Sequence, residues 1–347
     1  MKVAILGAGG VALATVALLH QSGHQPLIWS PSGINTASIT AIEVKASGLI
    51  SGCFTAAVAH SVEEALEYAK IVIVALPANA HKYVFDEIAP HISDEHTLII
   101  SAQLSLGALY LSSKFVEHKV KPTTIAFATT VVMGRREGAF DVTIGGVRNL
   151  LEMAVLPEEN TECALSLCQN LFGDRFRLAD NLIAIALSNL NPPIHMASAL
   201  CNFTRIEKAE YWANYDAITP SVARLIEALD QERLAVARAY AVHVRTAEEH
   251  YQLSFGFDKG MSIAEMAAVV HKQRNGPPGP TCVSTRFVTE DIPFGILQVI
   301  ALAELKAVDV PLHKAGVAMF SALYGRDFTT ENSLLAPALN FFRNEVC

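Results

Sequence analysis

Charge is scarce in this sequence. Only 17% of its 347 residues are Asp, Glu, Lys or Arg, against 51% that are hydrophobic. That balance excludes a disordered chain, which cannot bury enough apolar surface to offset the entropy of ordering. A basic surplus is lacking too: 26 Lys and Arg face 34 Asp and Glu, a net charge of −8. Nucleic-acid binders carry the opposite balance, so no nucleic-acid partner is expected. Long apolar runs are missing. The stretch from Leu182 to Leu200 is apolar on average but is broken by Asn189, Asn191, Pro192, Pro193 and His195. It falls short of the ~20 clean residues of a membrane span, so no membrane partner is expected either. The cysteines Cys53, Cys163, Cys168, Cys201, Cys282 and Cys347 form no CxxC pair. Their scatter predicts reduced, mostly buried thiols and no metal site. Met1 to Leu6 runs straight into glycines, without the basic and apolar regions of a signal peptide. The expectation is a cytoplasmic protein of about two domains.

What is present in the first half is an alternation of strand and helix signals. Val3 to Leu6 and Gln25 to Trp29 read as short strands around a helix from Val11 to Gln21. Ser61 and Glu64 form a capping-box pattern opening a helix from Val62 to Ala69. Ile71 to Leu76 is an apolar strand ended by Pro77, a helix follows from about His81 to Ala89, and Thr97 to Ser101 and Thr124 to Val132 are further β-prone runs. Short apolar strands alternating with helices predict a doubly wound parallel sheet of the Rossmann type. Few strand signals follow Gly146. Glu162 to Phe172, Leu182 to Leu190, Ser221 to Val242 and Ser262 to His271 read as helices, predicting an all-α carboxy-terminal domain. The boundary is placed near Ala179–Asn181, giving domains 1–180 and 181–347. The loop Asn275-Gly-Pro-Pro-Gly-Pro280 is the strongest breaker in the chain.

Gly7, Gly9 and Ala12 fill the small positions of G-x-G-x-x-G/A between a strand and a helix. Gly7 permits the tight turn, Gly9 lets the backbone approach a pyrophosphate, and Ala12 lets the helix pack close to the strand. Amides of Gly10 and Val11 would face the phosphates from the helix start. The second strand ends in Trp29-Ser30-Pro31-Ser32, with no carboxylate for a ribose 2′-hydroxyl. Ser30 and Ser32 can donate to a 2′-phosphate, so NADP is expected, with NAD use open; serines that only cap the turn are the alternative. Leu76, Pro77 and Ala78, at the carboxyl edge of the sheet, are expected to contact the dinucleotide through backbone atoms. His81 reads as a helix-surface histidine.

His195 stands in Asn189-Leu-Asn-Pro-Pro-Ile-His195, a motif that interrupts an apolar helical stretch. Such local violations tend to mark functional sites; a core histidine bonded to a carbonyl is the alternative. Arg286 and Asp291 follow the proline-rich loop. Arginine can grip a substrate carboxylate with its planar fork, and Asp can hold an imidazole in one tautomer. A local pair of Arg286 with Asp291 or Glu290 is the bland alternative.

Taken together, these motifs resemble those of the octopine/nopaline (opine) dehydrogenase family, in particular its bacterial opine-synthase branch. The resemblance runs over nearly the whole chain. It rests on Gly7-Ala-Gly-Gly-Val-Ala-Leu13, Ile28-Trp-Ser-Pro31, Arg135-Arg136, Ser188-Asn-Leu-Asn-Pro-Pro-Ile-His195, Asp230-Gln-Glu-Arg-Leu234 and Arg286-Phe-Val-Thr-Glu-Asp291. It implies a nicotinamide-binding Rossmann domain and a helical domain that closes over the substrates. It implies that His195 is the catalytic acid and base, Asp291 its carboxylate partner and Arg286 the holder of an amino-acid carboxylate. Asn191 would orient the broken helix, and Arg135 matches a family arginine whose role stays open, a second carboxylate contact being one reading. Gly10 and Met196 depart from the family's pattern. The implied reaction is NAD(P)H-dependent condensation of an amino acid with a 2-oxo acid to a secondary amine. A homodimer is a further expectation. Two alternatives remain: a ketopantoate- or glycerol-phosphate-type reductase, which would use a lysine such as Lys208, Lys259 or Lys272, and a non-enzymatic dinucleotide sensor.

Overall fold

The computed structural model describes residues 1–274 and 277–345 and divides into two compact units. Asn275 and Gly276 of the proline-rich loop, and Cys347, lie outside the described residues. Unit one comprises Met1–Ile185 with the closing segment from Ala336, and unit two spans Ala186–Leu335. The division thus falls a few residues after the expected boundary, and the closing segment groups with the sheet rather than with the helices.

Unit one is built on a single eleven-stranded sheet. Its strands are β1 (Lys2–Leu6), β2 (Gln25–Trp29), β3 (Ala41–Gly48), β4 (Gly52–Ala59), β5 (Ile71–Val74), β6 (Thr97–Ile100), β7 (Thr123–Phe127), β8 (Val132–Arg136), β9 (Asp141–Val147), β10 (Leu151–Leu156) and β11 (Phe176–Leu178). The central strands β7-β6-β5-β1-β2-β4 are all parallel. That is the doubly wound dinucleotide-binding order, with its topological switch between β1 and β5. The antiparallel hairpin of β3 and β4, and β8 paired antiparallel with β9, extend the sheet beyond β4.

The helix Gly10–Gln21 buries every residue from Ala12 to Leu19. A helix that is apolar all round must be covered all round. The parallel sheet covers one side; residues of the extension, among them Ile42, Val44, Val132 and Val142, pack into the same core. The closest approach is between Gly10 and Gly134. A Cβ on Gly134 would stand 2.1 Å from the Gly10 carbonyl oxygen and 2.6 Å from the Ala14 Cβ, and one on Gly10 would stand 2.4 Å from the Gly134 oxygen. The departure at Gly10 therefore has a packing cause.

Several expectations need correction. The β3–β4 hairpin and the helix Gly107–His118 had no counterpart in the sequence reading. The run Thr124 to Val132 leaves the strand after Phe127 and reaches only the first residue of β8, which is not a neighbour of β7 in the sheet. Two strands, β10 and β11, follow Gly146. The thiols are not mostly buried: Cys53, Cys163, Cys201 and Cys282 are exposed, and only Cys168 among the described cysteines is buried.

The regular elements of unit two are all helices among the described residues, apart from an isolated bridge between Ala213 and Pro278. Its longest helix is Pro220–Ala239. No helix among the described residues is long and apolar enough to cross a membrane.

Candidate active site

At the switch point, Gly7 has φ +135°, and a Cβ there would lie 2.4 Å from the Ala75 oxygen at the end of the neighbouring strand. Gly9 is different: nothing lies within 4 Å of where its Cβ would be. The helix that follows has no acidic residue in its first turn and no side-chain cap. Its first amides are thus left to an anion. The turn therefore fits a dinucleotide pyrophosphate, with Gly10, Val11 and Ala12 opening the helix. Leu76 is half-buried, Pro77 is exposed, and Ala78 starts the helix Ala78–Ile88. His81 is not on the surface. It is fully buried, its Nε2 lies 3.0 Å from the Leu76 oxygen, and burial pushes its pKa down to about 4. A neutral imidazole thus fixes the chain at the strand's end. Ser30 and Ser32 hydrogen-bond to each other at 3.3 Å, and the Ser32 hydroxyl accepts from the Ile34 amide.

The second cluster lies within unit two. The apolar stretch breaks as expected. One helix, Leu182–Ser188, ends, and another, Asn191–Cys201, begins. Pro192 and Pro193 occupy the first turn of the new helix, where a missing amide hydrogen costs nothing. Asn189 accepts a hydrogen bond from the Asn191 amide at 3.0 Å. The carbonyls freed at the break also find partners. Buried Gln298 donates to the Ala186 oxygen at 2.7 Å, and the fully buried Arg233 donates to the Leu187 oxygen at 2.5 Å. Arg233 is held by Asp230, and Asp230 also accepts from the Ala247 amide. Its neighbour Glu232 accepts from the amides of Leu312 and His313 and from the His313 ring. The motif Asp230-Gln-Glu-Arg is therefore scaffolding for the break. Met196, the other departure from the family pattern, has a packing partner: its sulfur would stand 2.3 Å from a Cβ on Gly316.

His195 projects from the second helix with its side chain 16% exposed, and its Nδ1 lies 2.7 Å from Oδ2 of Asp291, which is 2% exposed. The Phe287 ring lies flat on the imidazole, 3.6 Å between centroids and 6° between planes. Arg286 pairs through Nε with Glu290 at 3.2 Å while 62% exposed. The Arg286–Glu290 pair follows from helical spacing, which also sets Phe287 on the side of Asp291. Residues 286 and 290, and residues 287 and 291, are each four apart and share a face. The short helix Arg286–Thr289 continues directly into a π-helical turn, Asp291–Ile296. One turn of chain thus supplies a ring and a carboxylate to the imidazole, and a braced guanidinium beside them. Phe287 was missed as a site residue, and Glu290 was weighed only as the local partner of Arg286 that it proves to be; the signal for both was the i,i+4 spacing within Arg286-Phe-Val-Thr-Glu-Asp291.

The structure brings together His195, Asp291 and Arg286, with Asn191 at the start of the same helix as His195. Arg135 lies on β8 of unit one, paired with Glu137 at 2.8 Å. Lys208, Lys259 and Lys272 are all exposed. Among the described residues, no group of three His, Cys, Asp or Glu side chains is arranged to hold a metal ion.

Comparison with known proteins agrees with this division. Residues 178–324 match the family model described as NAD/NADP octopine/nopaline dehydrogenase, alpha-helical domain, and residues 3–155 match that of ketopantoate reductase PanE/ApbA. The chain is 26% identical over 346 residues to an opine dehydrogenase from Arthrobacter sp. (strain 1C), covering 96% of this chain and 93% of that one. The fold is similar to octopine dehydrogenase in complex with NADH and agmatine, with a TM-score of 0.75, 18% identity and coverage of 98% and 95%. It is also similar to an NADP+-bound yersinopine dehydrogenase, with a TM-score of 0.67, 11% identity and coverage of 99% of both chains. The chain is an NAD(P)-dependent oxidoreductase in which a domain matching the octopine/nopaline dehydrogenase alpha-helical domain follows a ketopantoate-reductase-type dinucleotide domain.

Proposed function

We propose that this protein condenses the amino group of an amino acid with a 2-oxo acid and reduces the product to a secondary-amine dicarboxylate, using NADPH or NADH. The observation that carries this reading is the His195–Asp291 pair with the Arg286–Glu290 pair on the adjoining helical turn. The dinucleotide would be held by Gly7, Gly9, Gly10, Val11 and Ala12, by the backbone at Leu76, Pro77 and Ala78, and by Ser30 and Ser32. Bound there, it supplies the hydride that reduces the C=N carbon. NADP remains the favoured form, because no carboxylate follows β2 to repel a 2′-phosphate.

The helical unit supplies the rest. Asp291 accepts from Nδ1 of His195, which leaves Nε2 as the atom that exchanges protons with substrate. A neutral imidazole takes a proton from the substrate ammonium, freeing the nucleophilic amine. The imidazolium then returns a proton to the carbinolamine hydroxyl as water leaves. Glu290 occupies Nε of Arg286, and the two terminal nitrogens remain for a carboxylate in the two-pronged geometry that arginine favours. Clamping an acid beside the proton donor is chiefly positioning. Arg135 stays a candidate carboxylate contact from unit one.

The test is NADPH and NADH oxidation across a panel of amino acids crossed with 2-oxo acids. Oxidation is expected only when both substrates are present. His195→Ala is expected to lower turnover by roughly 10²- to 10⁴-fold, the usual scale of acid–base catalysis, while binding cofactor normally. Oxidation with a 2-oxo acid alone, or full turnover in the variant, would overturn the reading.

A further inference from the structure

The contact between Phe287 and His195 is closer and flatter than any other ring pair given for the described residues. Aromatic pairs more often meet offset or edge-on, at centroid separations of about 4.5–7 Å. Here a 3.6 Å separation and a 6° angle hold one whole face of the imidazole against a second plane. Asp291 holds one edge, through Nδ1. A histidine joined only at Nδ1 can still rock by a limited angle about its Cβ–Cγ bond, because such sp³–sp² torsions are broad. A flat wall removes that freedom.

We propose that Phe287 is a positioning residue for proton transfer: the stacked ring fixes the plane of the His195 imidazole, so that Nε2 keeps a single direction while Nδ1 stays on Asp291. This rests on the reading of His195 as the acid and base. The local chain is built for the role. Thr285 caps the turn by accepting from the Phe287 amide at 3.3 Å. The i,i+4 spacing sets Phe287 and Asp291 on one side of the turn, so that ring wall and carboxylate move as one piece. Val288, next along the turn, is fully buried and anchors it. The π-helical turn that begins at Asp291 is a geometry often found at functional sites.

The test is a set of substitutions at this position. Phe287→Ala removes the wall, Phe287→Leu keeps apolar bulk without a flat face, and Phe287→Tyr keeps the ring. The ring in Phe287→Tyr is expected to preserve kcat within about twofold, whereas Ala and Leu both lower kcat roughly tenfold, a loss of alignment. KM for both substrates and the Kd of NADPH are expected to stay within about twofold, since the residue touches neither binding group. A readout independent of catalysis is NMR of the free protein. The His195 ring protons are expected to be shifted upfield by the Phe287 ring current and to lose that shift in Ala and Leu. The inference is overturned if Leu matches wild type in kcat, if Ala loses KM rather than kcat, or if the ring-current shift is absent. His195→Ala retaining full turnover overturns the functional reading instead, so the two failures are distinguishable.

Discussion

The side chains around His195 divide the work by chemical type. A carboxylate with 2% exposure holds one nitrogen, a phenyl ring holds the face, and the exposed guanidinium of Arg286 stands one residue away on the same turn. Arginine is suited to that last place because its planar fork meets both oxygens of a carboxylate, which a lysine ammonium cannot. Arg286→Lys keeps the charge, loses the fork and loses the Nε bond to Glu290. We expect KM for the amino acid to rise about 10- to 100-fold, with kcat within about threefold, because each charge-assisted bond contributes ~1.5–3 kcal/mol. Steady-state kinetics at saturating 2-oxo acid reads this directly, and an unchanged KM would remove Arg286 from the site. At this scale the sequence was informative about residue types. His195, Asp291 and Arg286 could be singled out because a helix-breaking motif and a loop-to-helix junction are local anomalies. Phe287 was harder to see, because it looks ordinary until its partner is known.

The helices and strands explain where the small residues stand. Gly10 and Gly134 are glycines because β8 crosses the start of the dinucleotide helix at backbone contact. Gly134→Ala would put a methyl 2.1 Å from the Gly10 oxygen and 2.6 Å from the Ala14 Cβ. The neighbour on one side is backbone, so the strand must move. We expect a loss of about 3 kcal/mol, at the upper end for overpacking. That corresponds to roughly 2–4 °C in Tm per kcal/mol for a unit of this size. Calorimetry checks it, and the cofactor Kd is expected to rise as the helix start shifts; an unchanged Tm would mean that the contact is looser than described. The strands β1 and β2 were legible because they are buried on both faces and read as unbroken apolar runs. The β3 strand carries an alternation, Ile42, Val44 and Ala46 inside and Glu43 and Lys45 outside, but its outward charged residues made it easy to pass over. In β10 a buried Glu152, paired with Arg177 at 2.9 Å, interrupts the apolar pattern that marks an inner strand.

Across the whole molecule, buried titratable groups set the response to acid. His81 is held well below its ordinary value by burial, from 6.5 to about 4, and His96 is lowered chiefly by burial. A histidine whose folded pKa is depressed binds more protons when unfolded, so stability falls as pH drops from about 6.5 towards 4. For His81 the loss amounts to about 3 kcal/mol, at 1.36 kcal/mol per pKa unit. Glu232 adds a second limb. Burial pushes its carboxyl up, but His313 and the two helix amides outweigh that, and the net shift is down. Stability from Glu232 is present above about 4.5 and is lost below it. Urea unfolding between pH 4 and 8 is expected to show declining stability from pH 6.5 downwards, and His81→Gln is expected to flatten that limb while the limb below pH 4.5 remains. A pH-independent midpoint down to pH 4 would contradict the buried neutral state of His81.

The amino-acid order alone determined what depends on neighbours in the chain. It set the glycine turn after β1, the parallel α/β half followed by helices, and the break before His195, because torsion angles, apolar periodicity and missing amide hydrogens act over a few residues. Only the folded arrangement decided that Asp291 meets an imidazole 96 residues earlier and that β8 covers the dinucleotide helix. Those pairings depend on how helices and strands pack over long separations, and no local spacing encodes that.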